Sequence, residues 1–260
     1  CQQTPEAQPS STPLPHTPQE INFKSGDGQP LTGTYYPAKS NPAPVVVLMH
    51  WYPGDQSEWE EIAYWLQNRG LQGEGDGVPW QDRSWFPVRS EESSLAIFTF
   101  SFRGCEGGCK EPDPAGWLLD ARAATEHAAA LPGVDPNRVV TVGASIGADG
   151  AIAACAWLLT KPGMDCLGTL SLSPGDYLMD PYQVWVVKLN QASPSRPVWC
   201  FYDKNEDVAE ICTTLSDNHI RTQGWSNGYL HGLHLLDPHM DPNPLDMMLE
   251  FLAEVGGEER

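Results

Sequence analysis

The chain has 260 residues, 40% of them hydrophobic and 10 of them Trp, which is enough apolar material for one sizeable core. Against 34 Asp+Glu stand 15 Lys+Arg, a formal charge of -19 that would repel a phosphate backbone and argues against a nucleic-acid partner. The longest uninterrupted apolar run, Ala151 to Leu159, is too short to span a bilayer.

The first residues, "CQQTPEAQPSSTPLPHTPQE", are Pro, Gln, Ser and Thr with almost nothing to bury, so residues 1–18 are expected to form a disordered tether ahead of one domain over 19–260. A cysteine at the first position ahead of such a tether resembles a bacterial lipoprotein. That resemblance implies a lipid on Cys1 as the sole membrane attachment and an extracytoplasmic location; the alternative is an incidental chain start. Setting Cys1 aside leaves six cysteines, an even number that suits an oxidising compartment. They fall into near neighbours, and short loops favour the pairs Cys105–Cys109, Cys155–Cys166 and Cys200–Cys212 among the many connectivities open to them. A metal at "CEGGC" lacks a second Cys or His pair to complete it.

"EINFKSGDGQPLTGTYYPA" reads as two strands around a Gly-Asp-Gly turn. "APVVVLMH" is a continuous β-branched run, the pattern of a strand buried on both faces. A helix is predicted over "SEWEEIAYWLQNRG", with Ser57 and Glu60 spaced as a capping box and Gly70 at its end. Residues 71–94 interrupt the pattern with Gly, Pro and charge around Trp80, Trp85 and Phe86, and a connection of that length is functional or disordered. Then strand and helix alternate. "LAIFTFSF", "RVVTVGA", "CLGTLSLSP" and "RPVWCFY" are strands; "AGWLLDARAATEHAAAL", "IGADGAIAACAWLL", "YQVWVVKLN" and "DPNPLDMMLEFLAEV" are helices. This order predicts the α/β class, with a mostly parallel sheet covered by helices on both faces.

A Gly-x-Ser-x-Gly match is cheap in a chain with 24 Gly, so its surroundings must decide its meaning. "GASIG" follows the strand "RVVTV" and precedes a small-residue helix, where a sharp turn would lift Ser145 to the carboxyl end of the sheet. Around it stand, in order, "HWYPG", "FRG", "DKNED" and a late "HG". With these motifs the chain resembles the α/β-hydrolase superfamily over residues 20–255, nearest its dienelactone-hydrolase-like and small serine-esterase members. Dienelactone hydrolases proper use a cysteine nucleophile, and Ser145 departs from that. The resemblance implies a serine hydrolase of small-molecule carboxylic esters with no cofactor. It also implies Ser145 as nucleophile, His231 as base, and the N–H groups of Ile146 and Tyr52 as oxyanion donors.

The acid lies among Asp203, Glu206 and Asp207. The count from Pro197 lands near Glu206, while residue type and the step toward the next helix favour Asp207, which makes Asp207 the expected acid. Asp203, Asn205 and Asp207 also imitate the start of a calcium loop, but Val208 and Thr214 stand where that loop needs glycine and glutamate. Trp51, Trp80 and Trp85 are candidates for the substrate-pocket wall, and Arg103 for a structural bridge. A peptidase or thioesterase on the same triad, or a ligand-binding protein without chemistry, are the competing readings. A phosphate cradle at Gly143, Gly147 and Gly150 lacks the lysine it would need.

Overall fold

A computed structural model describes residues 14–75, 78–91 and 93–256. Cys1 and most of the expected tether fall outside that range. Residues 14–16, also assigned to the tether, are instead docked: the Leu14 and Pro15 carbonyls accept from Arg69 Nη1 at 3.2 and 3.1 Å, and the His16 carbonyl accepts from Gln67 Nε2 at 3.0 Å. Carbonyls gathered by the Arg69 guanidinium and the Gln67 amide hold this short segment ahead of the first strand.

Eight strands form one sheet in the order β1-β2-β4-β3-β5-β6-β7-β8. The hairpin β1 (Gln19–Lys24) and β2 (Pro30–Tyr36) is antiparallel and adds to β4 (Ala96–Phe100). From there β3 (Ala43–Met49), β5 (Val134–Ala144), β6 (Cys166–Leu172), β7 (Val198–Asp203) and β8 (Ile220–Trp225) run parallel. This is the α/β class expected. Alternation along β3 shows why its apolar run has no polar member: Val45, Val47 and Met49 enter one core, and Val46 and Leu48 the other.

The first core is closed by α2 (Pro114–Ala129), α3 (Ile146–Leu158) and α4 (Tyr182–Asn190). The second is closed by α1 (Glu60–Gln67) and α6 (Pro244–Gly256), with Ile62, Leu66, Met248 and Phe251 on the sheet-facing sides. A short α5 (Ala209–Thr213) follows β7. The capping box expected at Ser57 and Glu60 does not form. Asp55 caps instead, its carboxylate accepting the Ser57 N–H at 2.9 Å and opening a 3-10 turn over Gln56–Trp59 ahead of α1. Strand β8 is absent from the predicted elements because "IRTQGW" is an edge strand, half exposed and with little apolar signal.

All three near-neighbour disulfides are formed: Cys105–Cys109, Cys155–Cys166 and Cys200–Cys212. The first closes a loop against the turn after β3, where the Cys109 N–H donates to the Tyr52 carbonyl at 2.9 Å and the Gly107 N–H to Asp55 Oδ2 at 2.7 Å. Among the described residues no helix is long and apolar enough to cross a membrane.

Candidate active site

Strand β5 ends in Ala144, and the next residue turns the chain into α3. Ser145 carries that turn with φ 54 and ψ -117, a left-handed conformation that costs on the order of 1–3 kcal/mol for a residue with a side chain. Its N–H donates to the Leu172 carbonyl at 2.8 Å and its carbonyl accepts from Ala148 N at 2.9 Å, so the strained backbone is held from both sides. The flanking glycines are required by approach. A Cβ on Gly143 would lie 1.9 Å from the Gly147 carbonyl oxygen, and one on Gly147 would lie 2.3 Å from that of Met49. The elbow is therefore wedged against the end of β3.

His231 lies after β8, and its ring joins two other elements. The Ser145 hydroxyl meets its Nε2 at 2.9 Å, and its Nδ1 meets Glu206 Oε2 at 2.8 Å. With Nδ1–H donated to the carboxylate, Nε2 is left as the acceptor for the serine proton. Glu206 is 4% exposed, and its other carboxylate oxygen accepts the Asp203 N–H at 3.1 Å. Asp203 shapes the same loop: one oxygen accepts from Asn205 N at 2.8 Å and the other from Asn227 N at 3.2 Å.

The expected acid, Asp207, is not the carboxylate that meets His231. The turn that points Glu206 inward rotates the next side chain out, and exposed Asp207 accepts instead from the Tyr229 hydroxyl at 3.2 Å. The count from Pro197 and the residue type pointed to different carboxylates, and the fold brings Glu206 to the histidine.

The expected oxyanion donors belong to the starts of neighbouring connections at this end of the sheet. Ile146 opens α3, whose first N–H groups have no partner within the helix, and Tyr52 follows β3, the strand paired with β5. His50, just before, is structural: fully buried, it faces the Trp51 carbonyl through Nδ1 at 2.7 Å and accepts the Phe102 N–H at Nε2 at 3.0 Å. Burial brings its pKa down to about 4, so it stays neutral. Arg103 bridges Asp120, Asp27 and Ser25, with its shortest contact, 2.6 Å, to Asp27.

The three tryptophans separate. Trp51 packs on Gly232 beside His231, and its ring meets Trp80 and His234 edge-on at 5.6 and 5.1 Å. Trp80 donates Nε1–H to Glu58 at 3.1 Å. The Trp85 ring meets His239 instead, at 5.4 Å, at the margin of the apolar cluster that holds Trp51 and Trp80. Sequence reasoning missed Tyr177, whose ring meets His231 at 6.3 Å, and Asp149, whose carboxylate accepts the Gly175 and Tyr177 N–H groups. Tyr177 sits in an irregular loop, and Asp149 reads in sequence as one more polar residue of a helix.

Residues 15–216 match the model of the acetyl xylan esterase (AXE1) family, a stretch ending just before β8 and His231. Among curated proteins, an uncharacterized protein of Mycobacterium tuberculosis is 28% identical over 151 residues, 55% of this chain and 45% of that one. The uncharacterized protein YfhR of Salmonella typhi is 25% identical over 146 residues, 55% and 42%. The chain thus spans less than half the length of either relative. Among solved structures, a putative α/β hydrolase of Agrobacterium tumefaciens superposes with a TM-score of 0.57 at 20% identity, covering 92% of this chain and 98% of that one. The Pyrococcus furiosus esterase Pf2001 gives 0.61 at 12%, covering 92% and 93%. These neighbours share the fold, and the family match across most of the sequence decides the lineage: the chain belongs to the acetyl xylan esterase family, esterases built on the α/β-hydrolase fold.

Proposed function

We propose that the protein is a serine hydrolase that cleaves carboxylic esters, acetyl esters foremost, through an acyl-enzyme. The observation that carries this reading is His231 in hydrogen-bonding reach of both Ser145 and Glu206, at 2.9 and 2.8 Å. Ser145 Oγ attacks the ester carbonyl carbon while His231 Nε2 takes its proton, and Glu206 stabilises the imidazolium that forms. The N–H groups of Ile146 and Tyr52 receive the oxyanion. As the intermediate collapses, the bond to the alkoxy oxygen breaks and His231 returns the proton to the departing alcohol. Water then attacks the acyl-serine by the same route and releases the acid.

Membership of an acetyl xylan esterase family makes acetylated sugars the first natural substrates to try. The test is hydrolysis of p-nitrophenyl acetate by the wild type and by Ser145→Ala: loss of turnover in a folded variant is expected, and unchanged turnover would sink the reading. Three disulfides further support work in an oxidising, extracytoplasmic compartment. Cell fractionation that recovers the chain in the cytoplasm with its thiols reduced would overturn that part.

A further inference from the structure

Tyr177 lies in the loop between β6 and α4, and the acyl transfer just described does not use it. Several features hold it in place. Asp149, buried one turn beyond Ser145, accepts the N–H groups of Gly175 at 3.2 Å and of Tyr177 itself. The loop turns through Ser173 and Asp176, both left-handed at φ 53 and 56. Gly175 leaves room for the ring: a Cβ there would lie 2.2 Å from Tyr177 Cζ. Placed this way, the ring meets His231 edge-on at 6.3 Å, and its hydroxyl approaches the Ser145 side chain. Burial raises the phenol to about 12, against the opposing pull of Ser145, so it remains a neutral O–H donor at working pH.

The order of strands says which oxygen such a donor can serve. Ser145 rises from β5; Tyr52 follows β3 on one side of it, and Tyr177 follows β6 on the other, the side on which β8 delivers His231. A carbonyl oxygen drawn toward the Tyr52 and Ile146 N–H groups leaves the alkoxy oxygen on the His231 side, beside the phenol.

We propose that Tyr177 is a further catalytic residue that donates a hydrogen bond to the alkoxy oxygen of the bound ester. It supports the negative charge that gathers there as the carbon–oxygen bond breaks, while the proton that neutralises the alcohol comes from His231 and Tyr177 keeps its own. This inference rests on the serine-hydrolase reading. It assigns the site to esters of weakly acidic alcohols, a class that includes sugar hydroxyls, because activated phenols leave without help.

The experiment is kcat/KM for p-nitrophenyl, phenyl, trifluoroethyl and ethyl acetate with the wild type and Tyr177→Phe, which keeps the ring and its packing. A loss of about tenfold on ethyl acetate and less than about twofold on p-nitrophenyl acetate is expected, with a steeper dependence on the leaving alcohol in the variant. Equal losses on all four esters, or no loss on ethyl acetate, would overturn the proposal; a folding defect belongs to the first outcome, since it lowers every ester alike. Failure of the underlying reading shows separately, as p-nitrophenyl acetate turnover that survives Ser145→Ala.

Discussion

The two ends of the parallel sheet differ in space and in chemistry, and in opposite senses. At the carboxyl end Ser145, His231 and Glu206 are linked within 2.9 Å, and the neighbouring pocket, lined by Gly175, Asp207, Val208 and Ile211 among others, holds about 430 Å³. At the amino end a groove of about 1210 Å³ opens between α6, the starts of β3 and β5, and the segment around Arg89, yet none of its described lining residues is a histidine or a cysteine. The larger cavity and the Ser145–His231–Glu206 cluster are thus separated by the length of the strands. Chemistry collects at the carboxyl end because strand-to-helix turns, helix N-termini and long loops converge there. The groove is what remains where α6 and the 88–95 segment do not meet.

The largest expected effect tests that contrast directly. Ser145→Ala should lower kcat/KM on p-nitrophenyl acetate by about 10⁴ or more, whereas Asp246→Ala, in the wall of the groove, should leave it within about twofold. An equal loss in the groove variant would break the comparison. Next in size, Glu206→Gln should cost on the order of 10²–10³ in kcat, since a buried amide can neither accept the imidazole proton in the same way nor stabilise the imidazolium. Asp207→Asn, one residue on and exposed, should change little. Initial rates would reverse the assignment if the two variants exchanged behaviour.

Acidity sharpens the same contrast, because the carboxyl end also buries its titratable groups. Burial raises Asp149 to about 7 from 3.8, so the folded chain holds this proton more tightly than the unfolded chain. Its contribution is therefore full below about pH 4 and is lost as pH rises through 7, a change of up to about 4 kcal/mol. His50 acts in the opposite direction: with a pKa lowered to about 4 by burial, its contribution is present above pH 6.5 and lost as pH falls through 4. Asp149→Asn removes the first effect alone. Urea midpoints of the variant should rise relative to the wild type between pH 5 and pH 8, and parallel profiles would refute the burial argument.

The smallest effect concerns the loop that braces Tyr52. Replacing Cys105 and Cys109 together by Ser opens a very short covalent loop, so stability should fall by only about 1–2 kcal/mol. Turnover should fall a fewfold more than stability explains, because the Cys109 N–H holds the Tyr52 carbonyl and with it the turn that carries the proposed oxyanion donor. Thermal unfolding alongside kcat/KM separates the two.

Most of the fold was readable because its signals are local. The β3 run, the small-residue helix after "GASIG" and the span of α4 follow from periodicity and composition, and β8 escaped because an edge strand buries too little to leave a pattern. That Ser145 and His231 belong to one group was legible from flanking motifs and their order along the chain, and the two side chains meet at 2.9 Å. Trp85 stands out with Trp80 as part of the long aromatic connection over 71–94, and in the structure its ring meets His239 while it packs on the same apolar cluster as Trp51 and Trp80.

What linear order could not decide was which of two adjacent carboxylates meets His231, and whether Tyr177 and Asp149 belong to the same centre. Neighbours on a turn point in different directions, and only the pairing of β7 with β8 determines which faces the histidine loop. Tyr177 is brought beside His231 through a glycine, two left-handed residues and a buried carboxylate, none of which leaves a periodic trace. The proposed nucleophile was therefore legible in its own neighbourhood, while its proposed acid and extra donor were selected by strand order and by the reach of side chains across the end of the sheet.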